Sequence, residues 1–432
     1  MKARIPALLL TGTLLASLFA TPGAEAQTPA LKDLGASYAQ TEIQALVSAG
    51  IISGYEDNTF RPAATMTRQE FATLLSKALK LTPNAAASAK FTDVESWAQP
   101  YVGALVTAGL TSGTSATTFG ANEPITREQL AAFFIRAMGR ANEATSYGLT
   151  STFSDENAAS PYAKPLIALT QHIGFIKGSQ DGNGAWTFDP QGNAERQAVA
   201  RLAYEFYTHR DTYTSKIDTI GRTISLLDGT DAAMNKITSF HMSESMNAPD
   251  TAMTAEGDYV QSPLSVHQSG SITSTDTSGQ KATDPMEFYI AGGTEYIKAP
   301  DNTWYKQTFQ GNLEDIIPSY NNGAKNSHYL APFLTVTDNG DTYTLSGTLP
   351  GAVMKKALLD QSGQLPAGSE DLGDTVYRIV LDKNTLYQKS VHTETTFGAT
   401  YKSTFDLTLS NYNNVAPITV PANVKNSAQS TS

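Results

Sequence analysis

The chain has 432 residues, 40% of them hydrophobic, with a net charge of −11 and a sequence pI near 5.1. That is enough chain for about three domains, and acidity without a basic stretch argues against nucleic acid as a partner, because phosphate neutralisation needs clustered Lys and Arg. There is no cysteine, which excludes disulfides, thiolate metal sites and a lipidated N-terminal Cys.

In chain order, Lys2 and Arg4 precede an apolar run from Ala7 to Ala20, and Ala24-Glu25-Ala26 follows. This is the series of a secretory signal peptide over residues 1–26, so the mature chain is expected to begin at Gln27 and to be exported. Nothing later reaches the apolar length of a spanning helix, so no transmembrane segment is expected in the mature chain.

Three similar segments come next. The first contains Leu31-Lys32-Asp33, Gly50-Ile51-Ile52-Ser53-Gly54, Phe60-Arg61-Pro62 and Thr67-Arg68-Gln69-Glu70. The second contains Phe91-Thr92-Asp93, Gly109-Leu110-Thr111-Ser112-Gly113, Phe119 and Thr126-Arg127-Glu128-Gln129. The third contains Phe153-Ser154-Asp155, Gly174-Phe175-Ile176-Lys177-Gly178, Phe188-Asp189-Pro190 and Glu195-Arg196-Gln197. Phe60 to Arg68, Phe119 to Arg127 and Phe188 to Arg196 are each eight residues apart. Each segment reads as helix, loop, helix, too small to bury its apolar face alone, so the three are expected to pack together.

Thr67 with Glu70, and Thr126 with Gln129, fit capping boxes. Capping does not explain the arginines, since a cation at a helix N-terminus opposes the helix dipole. Two readings stand at this point. Either Arg68, Arg127 and Arg196 each receive a carboxylate from a ligand, or each pairs with Asp33, Asp93 or Asp155.

The order F-x-D-V, G-I-I-x-G, F-R-P, T-R-x-E resembles S-layer homology repeats over about residues 28–208. The resemblance implies an all-α trefoil of three repeats. It also implies grooves that bind secondary cell-wall polysaccharide, typically through a pyruvylated acidic sugar. Carried over, the polysaccharide-binding residues are Asp33, Gly54, Arg68, Asp93, Gly113, Arg127, Asp155, Gly178 and Arg196, with the glycines letting ligand approach the backbone. The third repeat lacks the capping Thr and the terminal Glu, which puts the groove using Arg196 in doubt.

After Tyr207 a helical connector is expected, with Ile217, Ile220, Ile224 and Leu227 on one helix and Asp231 to Ile237 on a short second one. Strands follow at Thr238 to Met246, around Gly292-Gly293, on both sides of Asn339-Gly340, and at Val376 to Asp382, Leu386 to Thr396, Thr400 to Leu409 and Ile418 to Pro421, with a helix at Ala352 to Asp360. These suggest an α+β domain with a curved antiparallel sheet. It resembles the unclosed-barrel fold of lipoprotein carriers (LolA/LppX-like), which implies an apolar cavity and an apolar ligand, a filled core being the alternative. Trp304-Tyr305-Lys306 and Asn414 to Pro421 also resemble segments of uncharacterised Firmicute lipoproteins.

The expected divisions are repeats at 27–84, 85–145 and 146–208, a connector at 209–236, a β-rich domain at 237–425 and a disordered tail at 426–432. No histidine spacing fits zinc and no H-E-x-x-H or G-x-S-x-G occurs, so neither cofactor nor catalytic residue is expected. Asp181-Gly182-Asn183-Gly184 reads as turn. No sortase signal follows Leu349-Pro350 or Leu365-Pro366, so attachment is expected to be non-covalent. The reading is a secreted, non-enzymatic protein of the cell wall or S-layer surface. The alternative is a wall-bound hydrolase with its active site in the C-terminal half, which paired carboxylates in a cleft would favour.

Overall fold

A computed structural model describes residues 31–182, 184–311, 327–362, 369–398 and 401–430. The expected signal peptide and residues Leu365-Pro366 lie outside this set. The repeats contribute helices α1 (Gln40–Ser48) and α2 (Arg68–Ala78), then α3 (Ala85–Ser88), α4 (Gln99–Thr107) and α5 (Arg127–Ala137), then α6 (Ala141–Ser146), α7 (Lys164–His172) and the start of α8 (Arg196–Met234). Both capping boxes form. The Thr67 N–H donates to Glu70 at 2.8 Å and the Thr126 N–H to Gln129 at 3.3 Å, while Glu195 gives α8 no side-chain cap.

The all-helical trefoil expected above is not what the structure shows. The repeats meet through β-type bridges, Thr65 with Glu195, Thr67 with Pro124 and Thr126 with Asn193. Backbone hydrogen bonds run in a closed ring, from Met66 N–H to Ala194 O (3.1 Å), Ala194 N–H to Ile125 O (2.9 Å) and Ile125 N–H to Met66 O (2.9 Å). A short ribbon, β1 (Ser179–Gln180) with β2 (Trp186–Thr187), adds further strand. The physical reason is that Met66, Ile125 and Ala194, just before the second helices, are buried, so their backbone groups must pair with one another. Around the ring, Phe60, Phe119 and Phe188 are fully buried, and Phe134 packs edge-on to Phe71 and Phe175.

Helix α8 has 39 residues, about 58 Å at 1.5 Å per residue, with one non-helical residue at His209. The helical path kinks there, so the connector helix expected after Tyr207 lies beyond the kink, and the short second helix expected at Asp231 to Ile237 is the end of it, at Met234. Beyond it lie β3 (Ser239–Ala248), β4 (Thr251–Gln261), β5 (Leu264–Thr275), β6 (Lys281–Ala291), β7 (Thr294–Lys298), β8 (Trp304–Thr308), β9 (Leu334–Asp338) and β10 (Thr342–Leu349). Helix α9 (Gly351–Ser362), β11 (Leu372–Asp382), β12 (Gln388–Phe397), β13 (Tyr401–Ser410), α10 (Ala422–Ser427) and β14 (Gln429–Ser430) complete the described chain.

These strands make one 12-stranded sheet in the order β14-β8-β7-β6-β5-β4-β3-β13-β12-β11-β10-β9. The chain is thus mixed rather than a helical bundle joined to a barrel-like domain. Its end strands do not pair, so no barrel closes, and β14 joins β8 in parallel, which departs from the wholly antiparallel sheet expected. Close approach of neighbouring backbone requires glycine on these strands: a Cβ on Gly270 would lie 1.9 Å from Thr254 O. Ile418 to Pro421 is not a strand. The Ile418 N–H donates to Ser265 Oγ, and Val420 and Val424 pack on Tyr289.

The two halves share one apolar core. Leu330, Leu334, Leu345, Leu349 and Ile379 belong to the same buried cluster as Ile217, Ile220 and Ile224 of α8 and the phenylalanines of the repeats. Polar contacts reinforce it: Arg140 with Asp218 at 2.7 Å, and His328, whose ring nitrogens meet Tyr147 O and Asp228.

Candidate functional site

In each repeat the F-x-D aspartate holds the loop that ends at the invariant phenylalanine. Asp33 accepts from the Phe60 and Arg61 N–H groups at 2.8 and 2.7 Å. Asp93 accepts from Phe119, Gly120 and Ala121, and Asp155 from Phe188 and Asp189. Burial works against the Asp93 carboxylate, but the N–H groups of Phe119, Ala121 and Gly120 outweigh it and hold its pKa below the usual range. The aspartates are thus engaged by backbone, and none pairs with an arginine among the described residues.

The loop glycines pack against the same elements. A Cβ on Gly54 would meet Leu31 at 2.3 Å, one on Gly113 would meet Phe91 at 2.4 Å, and one on Gly178 would meet Thr187 O at 2.4 Å. Atoms of the chain itself therefore explain these glycines, and Gly113 and Gly178 also take positive φ.

Each arginine leaves its own repeat and lies over the phenylalanine of the next. The Arg68 guanidinium is 4.9 Å from the Phe119 ring, Arg127 is 5.3 Å from Phe188, and Arg196 is 4.7 Å from Phe60. Their other partners differ. Arg127 Nε donates to Phe188 O, and Arg196 Nε to Phe60 O, with Arg196 also ion-paired to Glu70 at 2.8 Å. Arg68 is 8% exposed, and its Nε has no hydrogen-bond partner among the described residues. It lies between two rings, since Phe133, 5.0 Å away, stands where Leu74 and Leu202 stand in the other repeats. Burial lowers its pKa, and Arg136 adds to that. Tyr162 and Glu123 act in the opposite direction, and Glu128 lines the same groove as Arg68.

Two open grooves are each shared by all three repeats. The first, about 210 Å³, brings Gly54, Glu70 and Lys77 of repeat 1 to Arg196 of repeat 3 and Trp97 of repeat 2. The second, about 390 Å³, brings Gly113, Gln129 and Arg136 of repeat 2 to Arg68 of repeat 1 and Tyr162 of repeat 3. At the third junction Tyr38 of repeat 1 lies near enough to Glu195, Arg201 and Arg127 to feel their charges.

Sequence reasoning missed the aromatic residues. Tyr38, Trp97 and Tyr162 are 59%, 46% and 48% exposed, and each precedes a fully buried alanine, Ala39, Ala98 or Ala163. The signal is an aromatic-Ala pair, hidden because its distance from the F-x-D aspartate varies between repeats. The residue after each arginine anchors this segment. Gln69 accepts from the Glu95 N–H, Glu128 accepts from Ser160 and Tyr162, and Gln197 accepts from the Ser37 hydroxyl.

Composite grooves, each with a cation and an exposed aromatic brought in from different repeats, define a repeat protein whose clefts lie between its repeats. The family model of the S-layer homology domain matches residues 30–72 and 90–131, within the first two repeats. Residues 223–429 match a family of unknown function (DUF6612). The chain is 30% identical over 210 residues to the surface-layer 125 kDa protein of Lysinibacillus sphaericus, covering 49% of this chain and 17% of that one. It is 30% identical to an endoglucanase of Bacillus sp. (strain KSM-635), covering 45% of this chain and 21% of that one. A cellulosome-anchoring protein of Acetivibrio thermocellus is 44% identical over 64 residues, 15% of this chain and 14% of that one. The chain thus spans about a fifth or less of the length of these relatives. LprF from Mycobacterium bovis covers 46% of this chain and 96% of its own, at 16% identity and a TM-score of 0.30.

Proposed function

We propose that this is a surface protein held non-covalently to a secondary cell-wall polysaccharide by the grooves of its S-layer homology repeats. A place at the bacterial cell surface follows from the repeats themselves. The observation that carries the anchoring reading is the composite groove: a cation stacked on a ring, an exposed aromatic and a tight glycine loop, built from three separate repeats. Aromatic faces suit the C–H faces of sugars, and an arginine fork suits a carboxylate. On this reading the polysaccharide-contacting residues are Arg68, Arg127 and Arg196 with Tyr38, Trp97 and Tyr162. Asp33, Asp93, Asp155 and the three glycines shape the loops. The name of the cellulosome-anchoring relative points the same way. The reading gives the chain no catalytic role, the C-terminal half being a displayed module, and keeps the divisions near residues 84, 145, 208 and 236.

The test is sedimentation of the full chain with purified cell walls, before and after their polysaccharide is stripped from the peptidoglycan. Binding is expected only to the unstripped walls, and the Tyr38→Ala/Trp97→Ala/Tyr162→Ala variant is expected to lose it while melting like the parent. Equal binding to stripped walls would overturn the proposal.

A further inference from the structure

We infer that Glu95 is a positioning residue for the first groove: its carboxylate clamps the Trp97 indole, so that the ring presents its face, and not its N–H, to the sugar. This rests on the anchoring reading above.

The backbone around Trp97 is fixed on both sides. Ala98 is fully buried, and the Ala98 and Gln99 N–H groups both donate to Glu95 O, at 2.9 and 3.1 Å. The Glu95 N–H donates to Gln69 Oε1 at 3.2 Å. What the backbone leaves open is the Trp97 side chain, 46% exposed in the groove that Gly54, Glu70 and Arg196 also line. One hydrogen bond holds it: Trp97 Nε1–H donates to Glu95 Oε2 at 2.7 Å. Glu95 is held in turn, because Gln69 Nε2 donates to its Oε1 at 2.9 Å and to Asn122 Oδ1 at 2.7 Å, and Gln69 is 2% exposed. Glu95 stands behind the lining residues of the groove rather than among them. The contacts therefore run from a buried amide, through a carboxylate, to an exposed ring.

An indole has a single N–H. Glu95 engages it, so an incoming sugar meets the apolar face of the ring. The bonds from Trp97 and then from Gln69 hold the Glu95 carboxyl below its usual range, so at neutral pH the clamp is charge-assisted. The second groove repeats the device with other residues. The Tyr162 hydroxyl donates to Glu128 at 3.3 Å, and Glu128 also accepts from Ser160 and Gln191. Glu95 lies two residues before its aromatic, whereas Glu128 comes from α5 of another repeat, so one arrangement is built by two routes. A ring held beforehand need not be ordered when the sugar arrives, and affinity gains by that amount.

The experiment titrates the secondary polysaccharide released from purified cell walls into the full chain by calorimetry. It compares the parent, Glu95→Ala, Trp97→Phe and the double variant, with melting curves for each. Glu95→Ala is expected to weaken binding about three- to tenfold, the range for ordering one side chain at an interface. Trp97→Phe, which keeps a ring but has no N–H to clamp, should lose at least as much, and the double variant should bind no more weakly than Trp97→Phe alone. In a Trp186→Phe/Trp304→Phe background, where Trp97 is the one indole left, Glu95→Ala should also raise quenching of its fluorescence by acrylamide. A Glu95 that served only the fold would cost the same factor whether residue 97 is Trp or Phe, and that additive result would overturn the inference, as would unchanged quenching. A Trp97→Phe variant that binds like the parent would overturn it too, and decides the matter even if Glu95→Ala does not fold. A parent that binds no polysaccharide would refute anchoring itself, and the clamp's role with it.

Discussion

Asp93 illustrates how a residue matched by a motif can matter for a reason the motif does not reveal. Its carboxylate caps three successive N–H groups and never meets an arginine. Because its pKa is lowered in the fold, the charged form stabilises the native state above the ordinary aspartate range. That contribution fades as pH falls through the lowered value. Asp93→Asn is therefore expected to cost about 1–2 kcal/mol at neutral pH, with the gap to the parent closing in acid, as paired denaturation curves across pH 2–7 would measure. A gap that persisted unchanged in acid would contradict this. The arginine question could not be settled from sequence because Glu70 and Gln129 looked interchangeable as capping residues. Only placing Arg196 against Glu70, and Arg68 against neither, separates them.

Among the elements, the second helix of each repeat was legible because capping box and apolar stripe agree, Thr67 with Glu70 followed by Phe71, Leu74 and Leu75. The third lacks that cap, and its N-cap backbone already has the extended conformation of Thr67 and Thr126. Glu195→Thr should then add about 0.5–1 kcal/mol, read as a raised melting temperature, and a lowered one would count against it. The change in texture after Tyr207 was legible too: the helical path kinks at His209, and Ile217, Ile220, Ile224 and Leu227 are buried on the connector helix beyond it. Strands β4 and β5 escaped notice because Ser, Thr, Gly and His blur their alternation. Their pairing comes from neighbours far along the chain, which no local pattern records.

At the scale of the whole molecule, the shared core bears on how the halves behave apart. Residues 27–208 and 209–432 each carry part of an apolar surface that the other covers, and the cut falls at the His209 irregularity inside α8. Each fragment alone is expected to melt below the intact chain, and the two, mixed, to associate in analytical ultracentrifugation. Independent fragments with the parent's melting temperature would show that the common cluster contributes little. The threefold recurrence of motifs was plain from sequence. The backbone ring that joins the repeats and the open 12-stranded sheet were not, because both depend on pairings between distant segments.

The packed flank of α8 also has a mechanical meaning. The helix kinks at His209, yet one apolar cluster runs from the repeats to the sheet and Arg140 meets Asp218 beyond the kink, so the joint is braced by side chains. A load applied to the strands is then expected to reach the repeats through that packing, and drag on the outer module to be felt at the grooves as torque rather than absorbed as slack.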